Sequence, residues 1–233
     1  MTLAAAPAIP SYFQPRPPMP RDPGILAGFD ALYERAAASN GALLDYPLAA
    51  PIWQFLCHVS DTRGVLLHGS GNPDIEIFEP RRSSDVNPFG DQKAVYAAGD
   101  GIWPLYFAIL DRTRFPMTLI NSSMRVEQAD GSPGEPCYFF SITDRALARR
   151  PFREGTIYLL AREGFVQQPP QRYRGWNIHL PQWASLSPVR PLARFRVRPE
   201  DFPFLAQLRG HDDESTFARA RENPDGFPWV EPV

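Results

Sequence analysis

The sequence has few of the residues that mark disulfide-rich, metal-binding or nucleic-acid-binding proteins. Its two cysteines, Cys57 and Cys137, are isolated, which argues against a disulfide framework and a cysteine-based metal site. Its four histidines have no metal-ligand spacing, so we expect no metal. The 24 basic and 26 acidic residues give a net charge of -2, which provides no field that would attract nucleic acid.

Long apolar runs are also absent. No window approaches the ~18 apolar residues of a membrane helix, and the N-terminal MTLAAAPAIP lacks the basic region of a signal peptide. With cysteine so scarce, we expect a soluble protein of a reducing, cytoplasmic compartment with no membrane partner. The short signatures GxxxxGK[ST], GxGxxG after a strand, HExxH and GxSxG do not occur either.

Proline, by contrast, is abundant. The chain has 27 prolines, more than twice the average usage of about 5%, so long uninterrupted helices are not expected. The prolines are dense in residues 1–24, which we interpret as an extended arm, partly disordered or wrapped on the surface. Apolar residues at helical spacing in 25–62 predict a helical N-terminal region.

From residue 63 onward the pattern changes to short apolar strands. They are VLLHG, IEIFEP, KAVYAAG, MTLINSSMRVEQ, CYFFSI, GTIYLLAR, QWASLSPVRPL and ARFRVRP. One stretch, DGIWPLYFAILDR, reads as a helix with Asp100 as a candidate N-cap. Residues 63–210 therefore predict an α+β domain with a strongly bent mixed sheet, and residues 211–233 predict a short helix and a loose tail.

Three residues beside these strands are candidates for a functional site. His68 ends LLHGS, Tyr96 lies in KAVYAAG, and Gln182 opens QWASLSPVRPL. Taken singly, each has an ordinary structural explanation: a histidine with satisfied hydrogen bonds, a core tyrosine, and a glutamine at a strand edge. Only their order and their strand context make a functional hypothesis.

Together, LLHGS, VYAAGDGIWPLYF and QWASLSPVRPL resemble the ADP-ribosyltransferase superfamily of the poly-ADP-ribose polymerase and diphtheria-toxin type. The resemblance covers roughly residues 60–200, and its motifs are short. That family carries a His-Tyr-Glu signature on three strands of a split sheet that holds NAD. The resemblance implies an ADP-ribosyltransferase-like split mixed or antiparallel sheet, NAD as the substrate, and an unknown acceptor that we expect to be a protein.

The resemblance also implies roles at the nicotinamide end of NAD. The backbone of Gly69 would approach the carboxamide, since glycine has no side chain in the way, and Ser70 would add a hydroxyl. Tyr96 would stack on the nicotinamide ring. Phe107, with Tyr106 close behind it, would supply the second stacking aromatic.

At the other end, His68 would bond the ribose next to the adenine. Arg81 and Arg82 form a basic pair on the following loop, and Asn87 is a weaker candidate there. A guanidinium fork matches phosphate oxygens, so this pair is a candidate clamp on the pyrophosphate. An ordinary exposed pair of loop arginines explains the same residues equally well.

The third signature position departs from the family, because Gln182 stands where the family has glutamate. A glutamine keeps the hydrogen bond to a ribose hydroxyl but loses the charge, and losing one such electrostatic partner costs about 2.7–4 kcal/mol. Slow mono-transfer, slow NAD hydrolysis, and binding of NAD or ADP-ribose without turnover all remain open. So does an unrelated structural or partner-binding protein, whereas the near-neutral charge argues against the RNA 2′-phosphotransferase branch of this fold.

Overall fold

The computed structural model describes residues 9–83 and 88–230. The helices in these residues are α1 Pro23–Ala37, α2 Ile52–Arg63, α3 Trp103–Ile109, α4 Asp144–Leu147 and α5 Asp213–Glu222. The strands are β1 Gln14–Pro15, β2 Leu43–Leu44, β3 Leu66–Ser70, β4 Arg81–Arg82, β5 Lys93–Ala98, β6 Leu119–Glu127, β7 Pro133–Thr143, β8 Gly155–Leu160, β9 Val166–Gln167, β10 Gln171–Tyr173, β11 Trp176–His179, β12 Gln182–Ser185, β13 Pro191–Val197 and β14 Arg209–His211.

These strands form two sheets. The large sheet has the order β2-β13-β8-β3-β5-β12-β9, and β4 also pairs with β5. The small sheet has the order β1-β7-β6-β11-β10, and β14 also pairs with β7. The β13–β2 and β14–β7 pairs are parallel and the others are antiparallel, so the prediction of an α+β fold with mixed sheets is confirmed.

The main core lies between the two sheets, around helix α3. Leu67 and Ile157 of the large sheet and Phe140 of the small sheet share this core with Tyr106 of α3. Helix α3 approaches the large sheet closely because Gly69 lies beneath it. A Cβ on Gly69 would be 1.8 Å from the Pro104 carbonyl oxygen, so only glycine permits this packing.

The opposite face of the large sheet carries a second, smaller core. Leu66, Phe78, Tyr158 and Trp183 belong to it. Side chains alternate between the two faces of a strand, so the sequence predicts that Trp183 points away from Gln182. The structure confirms this, since Trp183 is 8% exposed in the second core.

The described part of the proline-rich arm is wrapped on the small sheet. Strand β1 pairs with β7, and Phe13 is 5% exposed. Arg16 anchors the arm through ion pairs with Asp61 and with Asp100, the latter at 3.3 Å. The other oxygen of the Asp100 carboxylate accepts hydrogen bonds from the Ile102 and Trp103 N–H groups at the start of α3, although the N-cap of this helix is Ile102 and not Asp100 as predicted. Residues 1–8 of the predicted arm lie outside the described residues.

Some predicted elements differ in the structure. IEIFEP forms no strand, only the single bridge from Phe78 to Val189, because the segment crosses over the second core. QWASLSPVRPL divides into β12 and β13 at residues 186–190, and β14 begins before the predicted tail at residue 211. Within the described ranges, we find no helix with the length and apolarity that crossing a membrane requires.

Candidate functional site

Strand β5 brings the predicted site residues together. Ala98 lies opposite Leu67 of β3 on one side and opposite Gln182 of β12 on the other, so one row crosses three strands. Tyr96 lies two residues along β5, opposite Ala184. Since neighbouring strands are about 4.8 Å apart, the backbones that carry the three signature residues lie within about 10 Å of one another.

His68 bridges an opening between β3 and β5. Within the described residues these strands pair only at Leu67 and Ala98, and the His68 Nδ1 lies 2.7 Å from the Tyr96 carbonyl oxygen. A carbonyl only accepts, so Nδ1 carries the hydrogen and donates it. Burial lowers the pKa of His68 although this hydrogen bond opposes the change, so the ring is neutral near pH 7.

The Nε2 atom of His68 is therefore a hydrogen-bond acceptor. In the neutral ring with the hydrogen on Nδ1, Nε2 carries a lone pair. Over residues 9–83 and 88–230, no protein donor lies at hydrogen-bond distance from it. This atom is chemically suited to a hydroxyl of a ligand in the opening.

The three signature side chains do not share one face of the large sheet. Tyr96 and Gln182 alternate with Ala97 and Trp183 of the second core, so they lie on the α3 face. His68 lies on the opposite face, where its ring packs against Phe78 at 4.7 Å between centroids. A ligand can touch all three only if it lies in the opening between β3 and β5.

Tyr96 is held by its own hydroxyl. That hydroxyl accepts from the Gln92 N–H at 3.0 Å and lies 3.0 Å from the carbonyl oxygens of Phe89 and Gln92. The phenol oxygen is thus occupied by the loop before β5, and the ring is fixed in orientation. A tyrosine fixed in this way offers a ligand its ring face rather than its hydroxyl.

The two aromatic candidates on α3 lie in different environments. Tyr106 is 0% exposed, and its hydroxyl donates to the Ser141 carbonyl oxygen at 2.9 Å. A ligand cannot reach it without opening the main core, so we remove Tyr106 from the candidate site. Phe107 is partly buried and packs beside Trp103, with ring centroids 6.1 Å apart. It remains the aromatic candidate on this helix.

The residues after His68 have structural roles that the sequence did not reveal. Gly69 is required by the approach of α3, so its presence alone does not indicate a ligand. The Ser70 hydroxyl oxygen accepts from the Asn72 N–H at 3.1 Å, which forms a tight turn after β3. The Ser70 hydroxyl hydrogen remains available to a ligand in this turn.

The arginine pair lies at the beginning of β5. Arg81 pairs with Ala94, and Arg82 with Lys93. Both arginines are exposed, two or three residues along β5 from Tyr96. Asn87, the weaker candidate on this loop, lies outside the described residues.

A second glutamine, which the sequence did not indicate, adjoins Gln182. Strand β9 pairs with β12, and the Gln168 N–H donates to the Gln182 carbonyl oxygen at 2.9 Å. The two side chains therefore lie opposite each other on one face, with Cβ atoms about 4.5–5.5 Å apart. Gln168 is 3% exposed, yet neither its amide nitrogen nor its amide oxygen has a partner in the described part of the chain.

Unpaired buried amides are costly. Each unsatisfied buried polar group costs about 1–3 kcal/mol, and a polar group that bonded to the Gln168 amide would offset this cost. The Gln182 amide also forms no hydrogen bond to another described residue. The two amides thus lie side by side on the face that Tyr96 shares, with the Gln168 amide buried beneath the surface. No local pattern in QQPPQ predicts this, because the pairing is between distant segments.

Comparison with known proteins adds nothing to this geometry. No protein-family model, no curated protein and no solved structure matches the chain.

Proposed function

We propose that this chain is an NAD-dependent ADP-ribosyltransferase-like protein, which cleaves the nicotinamide–ribose bond and transfers ADP-ribose to an acceptor. The opening between β3 and β5 is the observation that carries the proposal. There His68 donates through Nδ1 to the Tyr96 carbonyl and keeps Nε2 as an acceptor. That the strands carrying the three motifs, β3, β5 and β12, are neighbours in the large sheet also supports the proposal.

Each residue has a chemical role in this proposal. His68 Nε2 accepts from a ribose hydroxyl, and the ring faces of Tyr96 and Phe107 hold the nicotinamide. The bond between nicotinamide and the ribose carbon breaks, and its electron pair leaves with nicotinamide. An acceptor nucleophile, or water, then bonds to that carbon and releases its proton to solvent. The Gln182 amide orients a ribose hydroxyl but brings no negative charge to the cationic sugar.

A module that binds NAD or ADP-ribose without useful turnover is the second candidate. The observation that favours it is the uncharged amide of Gln182, since β3, β5 and β12 contain no carboxylate at all. Without the negative charge of a carboxylate to stabilise the oxocarbenium-like sugar, the reaction is slower by about 10²–10³-fold. The two candidates share one binding site and differ only in turnover.

Two substitutions of His68 test the proposed site, because each variant keeps the hydrogen bond of only one of the two ring nitrogens. His68→Asn places an amide nitrogen near the position of Nδ1, which keeps the bond to the Tyr96 carbonyl and removes Nε2. His68→Gln reaches the position of Nε2 but loses that bond. We expect His68→Asn to keep the melting temperature of the parent and to lose NAD binding by about tenfold or more. We expect His68→Gln to melt lower, because the opening is no longer bridged.

The measurement is incubation of the purified protein with NAD, following nicotinamide release and NAD binding together. Release by the parent that His68→Asn abolishes supports the enzyme, and binding without release supports the binding module. If neither signal appears in the parent, or if His68→Asn retains both in full, the proposed site is wrong.

Replacing Gln168 tests whether its unpaired amide belongs to the same site. Gln168→Met keeps an unbranched side chain of similar length, so it removes only the unsatisfied polar atoms. We expect the free energy of unfolding to rise by about 1–3 kcal/mol while NAD affinity falls. Chemical denaturation and NAD titration measure the two effects, and Gln167→Met, at an exposed neighbour, is the control. Unchanged NAD binding in a stabilised Gln168→Met would remove Gln168 from the site.

A further inference from the structure

A cavity of about 350 Å³ adjoins the proposed NAD site. It lies at the junction of the two sheets, beside Leu66 of β3, Trp183 of β12 and His179, the last residue of β11. Its lining includes Leu66, Gly99 and Pro181 but none of the residues proposed to hold NAD. The cavity therefore has its own lining, although it adjoins the proposed NAD site at Gln182, and that lining must be explained separately.

The ionisable groups on the lining are all basic. They are Arg125, Arg162 and His179, and the lining includes no carboxylate. Arg125 Nη2 donates to Asp61 at 3.4 Å, and His179 Nε2 lies 3.1 Å from Glu127. These two carboxylates behind the wall offset two of the three basic groups.

Arg162 has no such counterpart. Its guanidinium carbon lies 4.2 Å from the centroid of the Trp183 ring, so this exposed side chain lies over the ring at the cavity wall. Considering residues 9–83 and 88–230, no carboxylate comes within ion-pair distance of it. The cavity thus carries an excess positive charge on a guanidinium that is already oriented.

Ser60 supplies an independent indication of a ligand. It lies in α2, is 8% exposed and lines the cavity. Its hydroxyl has no hydrogen-bond partner in the described chain, although a serine in a helix can bond the carbonyl one turn before it. The oxygen itself is inaccessible in this rotamer, so a polar group in the cavity would bond to it after the side chain rotates about χ1.

We propose that this cavity binds a small phosphate-bearing molecule, a phosphorylated sugar or nucleoside. Arginine is the residue best matched to phosphate oxygens, and Arg162 and Arg125 provide two guanidinium groups. Helix α2 ends at Gly64 on the same wall, where the partial negative charge of a helix C-terminus favours hydroxyl donors. Ligand cavities span about 300–1,000 Å³, so this one fits a monophosphate better than a dinucleotide.

Calorimetric titration of the full chain tests the site with ribose 5-phosphate, inorganic phosphate and uncharged ribose. We expect ribose 5-phosphate to bind most tightly, inorganic phosphate to bind more weakly, and ribose not to bind. Arg162→Gln should weaken ribose 5-phosphate binding by about tenfold or more, because it removes a charge-assisted contact. Ser60→Ala should also weaken it without lowering the melting temperature, since no protein partner is lost.

Two controls separate this site from other phosphate contacts. Arg114→Gln, whose side chain is 79% exposed, should leave the affinity unchanged. His68→Asn should also leave it unchanged, which separates this cavity from the proposed NAD site. Absence of binding by both phosphate probes would overturn the proposal. So would equal weakening by Arg162→Gln and Arg114→Gln, or a loss of ribose 5-phosphate affinity in His68→Asn.

Discussion

Gln182→Glu is expected to raise the rate of nicotinamide release from NAD by about 10²–10³. The substitution adds one negative charge at a position that the proposal places beside the cationic sugar. The new carboxylate would lie opposite Gln168, whose unpaired amide nitrogen can donate to it once the two side chains rotate toward each other. Neither β3, β5 nor β12 contains a carboxylate that would repel it.

The comparison needs a matched substitution and a separate measurement of NAD affinity. Gln207→Glu makes the same chemical change at an exposed residue remote from β12, and we expect it to leave the rate unchanged. A gain in rate with little change in NAD affinity is the expected result, because the charge acts on the transition state. Intact NAD binding with no gain in rate would mean that Gln182 does not correspond to the glutamate of the family.

The strands of the site could be predicted from the sequence, but the face of the sheet on which each candidate side chain lies could not. LLHGS, KAVYAAG and QWASL each read as a short apolar strand, and β3, β5 and β12 lie there. Which strand pairs with which depends on contacts between distant segments, and so does the row that joins Leu67, Ala98 and Gln182. Only that register shows that the His68 side chain lies on the opposite face of the sheet from Tyr96 and Gln182.

Burial in the structure also decides between two aromatic candidates that sequence spacing could not distinguish. Tyr106 and Phe107 are adjacent and both aromatic, so spacing from Tyr96 could not choose between them. The structure places Tyr106 between Phe140 and Phe202 in the main core and leaves Phe107 partly exposed. For Gln168, the sequence predicts the wrong environment. A glutamine in a polar segment reads as an exposed loop residue, and only the pairing of β9 with β12 shows that it is buried and unpaired.

Gly69→Ala is expected to lower the free energy of unfolding by about 3 kcal/mol or more. A Cβ at this position would lie 1.8 Å from the Pro104 carbonyl oxygen and 2.8 Å from its carbon. These are backbone atoms of α3, so no side-chain rotation relieves the overlap, and the helix must move away from β3. Gly155, on the neighbouring strand, lies under the same helix, with 2.1 Å between its added Cβ and the Ala108 carbonyl oxygen. The large sheet therefore has a shallow groove of two glycines that receives α3.

Gly28→Ala is the matched control, because the added methyl group there would meet only the Leu48 side chain at 3.6 Å, an ordinary contact. Gly28 lies inside α1, so this change should raise the free energy of unfolding by about 0.5–1 kcal/mol. Denaturant unfolding of both variants measures the difference. If Gly69→Ala proved as stable as the parent and lost only NAD binding, the glycine would serve the ligand and not the helix. If stability and NAD binding fell together, the packing of α3 and the proposed role of Phe107 would depend on one structural feature, because the same helix carries both.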